Sequence, residues 1–206
     1  MEAIGLDRAA ASAHFAGMLI ETETTPNPAT LKFLPGQQVM AGGTRDFGAH
    51  EDADASPLAE ALFNLGDVTG VFFGSDFVSV TAGEGVDWAA LKPDVLAVLL
   101  DHFVSGAPLF NPGSAAEIAV PAESFDDDPE DAEIVAQIRE LIDTRVRPAV
   151  ARDGGDIVYR GFQQGKVFLQ MQGACSGCPS STATLKQGIE QLLKHYVPEV
   201  TEVRAV

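Results

Sequence analysis

The segment that most limits what this chain can fold into is residues 106–131, GAPLFNPGSAAEIAVPAESFDDDPED. It holds four prolines, two glycines and the acidic run Asp126, Asp127, Asp128, Glu130, Asp131. Proline lacks an N–H and fixes φ, so neither a helix nor a central strand continues through such a stretch. Clustered like charges also oppose compaction. The segment therefore predicts a linker. On either side lie residues 18–105 and 132–206, each within the size range of an independently folding unit. Residues 1–17 precede the first unit as an N-terminal extension. The expected fold class is α+β, in two small domains joined by a Pro-rich acidic linker.

Charge divides along the same boundary. Residues 1–131 carry 22 acidic and 4 basic side chains, a balance of −18, and residues 132–206 carry 8 and 9, a balance of +1. An acidic front repels phosphate backbones, so nucleic acid is not an expected partner. Its simplest role is a solubilising surface. Hydrophobic residues make up 46% and charged residues 21%, as in ordinary globular chains. No apolar run approaches the ~18 residues of a membrane span. The first 17 residues, with one Arg and two acids, match neither a secretory nor a mitochondrial leader. Cytoplasmic residence is the expectation.

In the front unit, strands are expected at Met18–Glu23 and Thr30–Leu34, around a turn at Pro26-Asn27-Pro28 and stopped by Pro35-Gly36. Ser56 suits an N-cap and Pro57 the first helical position, with Leu58, Leu62 and Leu65 on one face. Val68–Phe73 and Phe77–Thr81 form a hairpin pattern about Gly74-Ser75-Asp76. A helix from Asp87 to Val104 aligns Leu91, Val95, Val98, Leu99 and Phe103, with Trp88 at its start facing the core and Pro93 tolerated early in it.

The back unit opens with a helix near Ala132 carrying Ile134, Ile138, Leu141 and Ile142, bent near Pro148 and ended by Gly154. Strands Ile157–Gly161 and Lys166–Met171 follow, joined at Gln163-Gln164-Gly165. A helix from Pro179 places Leu185, Ile189, Leu192 and Tyr196 on one side, and a strand at Val200–Val206 completes an αββαβ order.

The chemistry lies in Cys175-Ser176-Gly177-Cys178, the only two cysteines of the chain. Two cysteines three positions apart exclude a disulfide framework and bring metal or redox chemistry forward. The pair precedes Pro179, a natural first helical position. A helix N-terminus presents free N–H groups and a positive dipole end, which predicts lowered thiol pKa values. Two thiolates are half of what a four-iron or two-iron cluster, or structural zinc, requires. The four histidines, His14, His50, His102 and His195, form no pair at ligand spacing. Two chains, each giving Cys175 and Cys178, would close the set. A dithiol–disulfide site, a zinc-bridged dimer and inert thiols remain open on spacing alone.

The surrounding residues narrow these alternatives. RPAVARDGGDIVYRGFQQGKVFLQMQGACSGCPSSTATLKQGIEQLLK resembles the NifU-type C-terminal domain. MLIETETTPNPATLKFLPG, continuing to the helix ending DHFVSGAP, resembles the N-terminal domain of Nfu-type iron–sulfur carriers. The resemblance implies a homodimer that assembles a [4Fe–4S] cluster, or a smaller [2Fe–2S] one, between subunits. It implies Cys175 and Cys178 as the ligands, an upstream cluster donor, and delivery to apo iron–sulfur client proteins. It implies no enzymatic activity. Nitrogen-fixation scaffolds of this kind add a three-cysteine domain that has no counterpart here, which points to a carrier rather than an assembly platform. Family members commonly begin near the position of Met18, so translation is expected to start there. Asp153-Gly154-Gly155-Asp156 recurs in the family and reads as a helix stop and turn rather than a ligand set. Pro26-Asn27-Pro28 reads as a rigid turn, Ser176, Ser180 and Ser181 as caps, Met171 as packing, and Lys186 and Lys194 as solvent-facing.

Overall fold

The computed structural model describes residues 19–113, 127–176 and 179–206, with backbone only for residues 179–181. In the front domain, strands β1 (Glu21–Thr24), β2 (Thr30–Leu34), β3 (Arg45–Phe47), β4 (Val68–Phe73) and β5 (Val78–Ala82) form an antiparallel sheet of order β1-β2-β5-β4-β3. Two helices, α1 (Pro57–Phe63) and α2 (Trp88–Ser105), bury one face of it. Phe33, Val71, Phe73, Val78 and Val80 share that core with Leu58, Leu62, Leu91, Val95 and Leu99. The Ser56 side chain accepts from the Ala59 N–H at 3.3 Å, as an N-cap should, and donates to the Leu109 carbonyl at 2.6 Å.

Several expectations shift here. The first strand begins at Glu21, and Met18 lies outside the described residues. Leu65 falls beyond the end of α1 but still packs on the core. On α2 the buried positions are Leu91, Val95, Leu99 and His102, while Val98 and Phe103 are only partly covered. Trp88 packs as expected, its ring 6.3 Å from that of Phe33. Strand β3 was not expected: three residues are too few to show alternation.

In the back domain, α3 (Ala132–Leu141) runs through one π-helical turn, Ile142–Val146, into α4 (Arg147–Arg152). Pro148 has no N–H to give to the turn before it, which accounts for the wider turn at the expected bend. Strands β6 (Gly155–Gln163) and β7 (Lys166–Gly173) pair antiparallel, and each extends two residues past its expected end nearest the cysteines. Helix α5 (Pro179–Tyr196) then crosses over so that β8 (Glu202–Ala205) lies parallel to β7. The αββαβ order stands. On α5 the fully buried positions are Ile189 and Leu193, followed by Val197 just past its end, whereas Leu185 and Leu192 are partly buried and Tyr196 is exposed.

The acidic run is not wholly a solvated face. Asp127 accepts from the Tyr159 hydroxyl at 2.6 Å and the Phe162 N–H at 2.8 Å, and pairs with Arg139 at 3.2 Å. Burial, with the Asp127 carboxylate second, pushes the Tyr159 hydroxyl well above its usual range. One acid of the run thus fastens the chain entering α3 to strand β6.

Candidate metal centre

Strand β7 ends at Gly173, and Ala174, Cys175 and Ser176 carry the chain toward α5. The loop folds back on itself: the Ser176 N–H and hydroxyl both donate to the Gly173 carbonyl, at 3.1 and 2.8 Å. The Thr182 hydroxyl, one turn into α5, donates to the Cys175 carbonyl at 2.8 Å. The Ala174 N–H donates to the Gly154 carbonyl at 3.2 Å, tying the loop to the turn that precedes β6. A side chain at Gly155 would put its Cβ 2.9 Å from the Cys175 sulfur, so only glycine lets the thiol lie there.

Cys175 is 6% exposed and joins the back-domain core with Ile157, Met171 and Ile189. Burial pushes its thiol up to about 12, and the carboxylates of Asp153 and Asp156 add to the rise. At Cys175 this runs opposite to the lowered thiol pKa expected at a helix end, because desolvation and two nearby acids raise it. In this arrangement Cys175 is a packed core side chain. Cys178 lies outside the described residues, as do the side chains of Ser180 and Ser181. Among the described residues no three His, Cys, Asp or Glu side chains converge on a metal-sized site. His50 packs on Phe63, His102 on Phe103 and His195 on Tyr196, all apart from the loop, and His14 is not described.

The Asp153-Gly154-Gly155-Asp156 turn does more than stop a helix. Gly154 takes φ of +84°, as its place after α4 requires. Asp156 is buried and receives two bonds from Arg147, at 2.9 and 2.7 Å, and one from the Thr44 hydroxyl of the front domain at 2.9 Å. The Asp156 carboxylate, the larger of two acid partners, raises Arg147 above its already high range. Met171 packs in the core as expected. Lys194 is exposed and pairs with Glu190 at 2.6 Å, while Lys186 is half-buried. Asn27 closes the Pro26-Asn27-Pro28 turn by accepting from the Ala29 N–H at 3.0 Å.

Sequence reasoning missed the front domain's part in this site. The outer face of its sheet, opposite the helices, lies against the cysteine loop. One row of cross-strand partners, Asp46, Phe72, Ser79, Lys32 and Glu23, crosses all five strands. The Asp46 carboxylate accepts from the Gly173 N–H at 3.3 Å, and Phe72 sits where a Gly173 side chain would clash, 2.8 Å from the ideal Cβ. The Ser79 hydroxyl donates to the Gly154 carbonyl at 2.7 Å. Lys32, 7% exposed, donates to the Arg152 carbonyl at 3.3 Å and pairs with Glu23 at 3.0 Å. Burial pushes the Asp46 carboxyl up to about 6, against the lowering effects of the Gly173 N–H and Arg45. The unbroken apolar run Val71-Phe72-Phe73 was the available signal, since a strand covered on both faces loses its alternation.

Known proteins share this organisation in sequence. Residues 20–106 match the family described as scaffold protein Nfu/NifU N terminal, and residues 138–204 match the NifU-like domain. The chain is 52% identical over 188 residues to NifU-like protein 4, mitochondrial, of Arabidopsis thaliana, covering 90% of this chain and 65% of that protein. It is 48% identical over 190 residues to the NFU1 iron-sulfur cluster scaffold homolog, mitochondrial, of Drosophila sechellia, with 92% and 65% covered. Its identity to the human protein of the same name is also 48%, over 92% of this chain and 72% of that one. The chain therefore spans about two thirds of the length of these relatives. The mitochondrial names contradict the expectation of cytoplasmic residence. That expectation rested on finding no leader pattern in the first residues, which is weak ground beside named relatives this similar.

Proposed function

We infer that this chain, which belongs to the Nfu/NifU family of iron–sulfur cluster scaffold proteins, carries a [4Fe–4S] cluster between two copies of itself and hands it to apo-proteins. The observation that carries the reading is the single C-x-x-C pair at a strand-to-helix junction, inside a domain matched to the NifU-like family. Cys175 and Cys178 of each copy supply the four thiolates, and [2Fe–2S] is the other cluster this ligand number serves. The donor set suits the cargo: thiolates are soft ligands, and no further cysteine is present to close a cluster within one chain. Residues 106–131 link the two domains. The protein acts as a carrier rather than an enzyme, receiving clusters from an upstream donor in a mitochondrial rather than a cytoplasmic setting.

A cluster shared across a two-fold interface is labile, because separating the copies removes half its ligands. That lability is what a carrier needs. The chain's own residues prepare the site: Gly155 leaves room for the Cys175 sulfur, and the Thr182 and Ser176 hydroxyls hold the loop backbone. Anaerobic reconstitution with iron and sulfide tests the reading. The expected product is a brown protein with broad absorption near ~400 nm and roughly four irons per dimer. Colourless protein containing zinc, or disulfide turnover without iron, would contradict it.

A further inference from the structure

We propose that the front domain is a cap docked on the base of the cluster loop, and that the cap lifts before two chains share a cluster. The proposal rests on the reading that Cys175 and Cys178 hold a cluster between copies. Its own support is geometric. The cap's contacts fall on the residues that position the cysteine. The Gly154 carbonyl accepts from Ala174 of the loop and from Ser79 of the front sheet. Gly173, whose carbonyl anchors Ser176, gives its N–H to Asp46 and is covered by Phe72. Asp156 binds both Arg147 within its domain and Thr44 across the interface.

The face doing this has been shaped for a neighbour. Phe72 and Phe77 are buried yet belong to neither domain's core, with rings 5.9 Å apart, and the Lys32 ammonium lies 4.8 Å from the Phe77 centroid. An apolar pair beside a buried cation is an unfavourable solvent surface and a favourable covered one.

The docked form is also unsuited to cluster sharing. Cys175 is buried, and a ligand must project from the loop to meet iron held jointly with another chain. Ser176, next to it, faces a cleft of about 440 Å³ walled on its far side by Asn27, Asp46, Phe72 and Thr81 of the front domain. A second loop approaching from that side meets the cap first. The cap therefore protects an empty loop and yields when a partner copy and cluster arrive.

The full apo chain tests this by hydrogen exchange at the Gly173 amide, compared with Phe72→Asp and Ser79→Glu. Both side chains point away from the front-domain core, and thermal melting checks that each variant folds. The expected result is exchange about tenfold faster or more in both variants. The same acceleration is expected in the wild-type chain after cluster loading, and several-fold faster loading of the variants. Unchanged exchange in folded variants would overturn the docking. Protection retained in the loaded wild-type dimer would overturn the lifting. Should no form of the chain take up a cluster while Gly173 still responds to the variants, the cluster reading fails and the cap's purpose with it.

Discussion

In the front domain the buried Lys32 pairs at home with Glu23 and also reaches the Arg152 carbonyl across the interface, as Ser79 reaches the Gly154 carbonyl. In the back domain the buried carboxylate Asp156 is neutralised at home by Arg147 and meets the front only through Thr44. Their cores differ. The front buries aromatic and aliphatic residues against two helices, with His102 beside them on α2. The back buries its Cys175 thiol among Ile157, Met171 and Ile189. The two domains therefore stand differently toward the cysteine loop, which belongs to one and is contacted by the other. The front presents a sheet face that the back domain covers, the back buries the cysteine thiol, and each pairs its buried charge within itself.

The largest expected effect would break the comparison outright if absent. Cys175→Ser and Cys178→Ser should each remove essentially all bound iron after anaerobic reconstitution, read by elemental analysis and visible absorption. Front-domain mutations that spare the fold should not do so. Next in size, Phe33→Ala empties a fully buried site in the front core and Leu193→Ala one in the back. Each should lower stability by about 2–5 kcal/mol. Only the second should reduce cluster retention at temperatures where the variants remain folded, as followed by denaturant titration beside iron content.

Smaller changes probe the buried charges of each domain. Arg147→Met leaves Asp156 buried with only Thr44 to satisfy it, and should destabilise the back domain by about 3 kcal/mol, since a buried charge loses its partner. The half-exposed position of Arg147 moderates that figure. The smallest effect depends on pH. Asp46 holds its proton more tightly in the folded chain, so folding is favoured at low pH and that advantage is lost as pH rises from about 4 through about 6. Arg45, Asp52 and the Gly173 N–H face the group, and burial sets the direction. Asp46→Asn keeps an acceptor for Gly173 and removes the charge. It should be more stable than the parent above pH 6, by about 1–2 kcal/mol, with the gap closing below pH 4. Urea melts across that range measure it.

Much of this was legible in the residues themselves. Thr30–Leu34, the Ser56-Pro57 helix start, the β4–β5 hairpin and the Gly154 helix stop follow from local rules, because caps, turns and alternation act over a few residues. The spacing of the cysteine pair brings metal and redox chemistry forward without choosing between them. What was hidden depends on tertiary placement. Desolvation of Cys175 reverses the thiol shift that a helix end suggests, and no local pattern reports burial by Met171 and Ile157. The docking row is assembled from five strands, three of them far apart in sequence, so Asp46 and Lys32 look like ordinary surface charges until the sheet register is known. Asp127 was lost in a run of acids of which one is structural.

Native mass spectrometry of the anaerobically reconstituted chain tests most directly the claim that two copies share one cluster. The expected species is a dimer carrying a single four-iron cluster that falls to cluster-free monomers when the copies separate. A monomer retaining a complete cluster would contradict it.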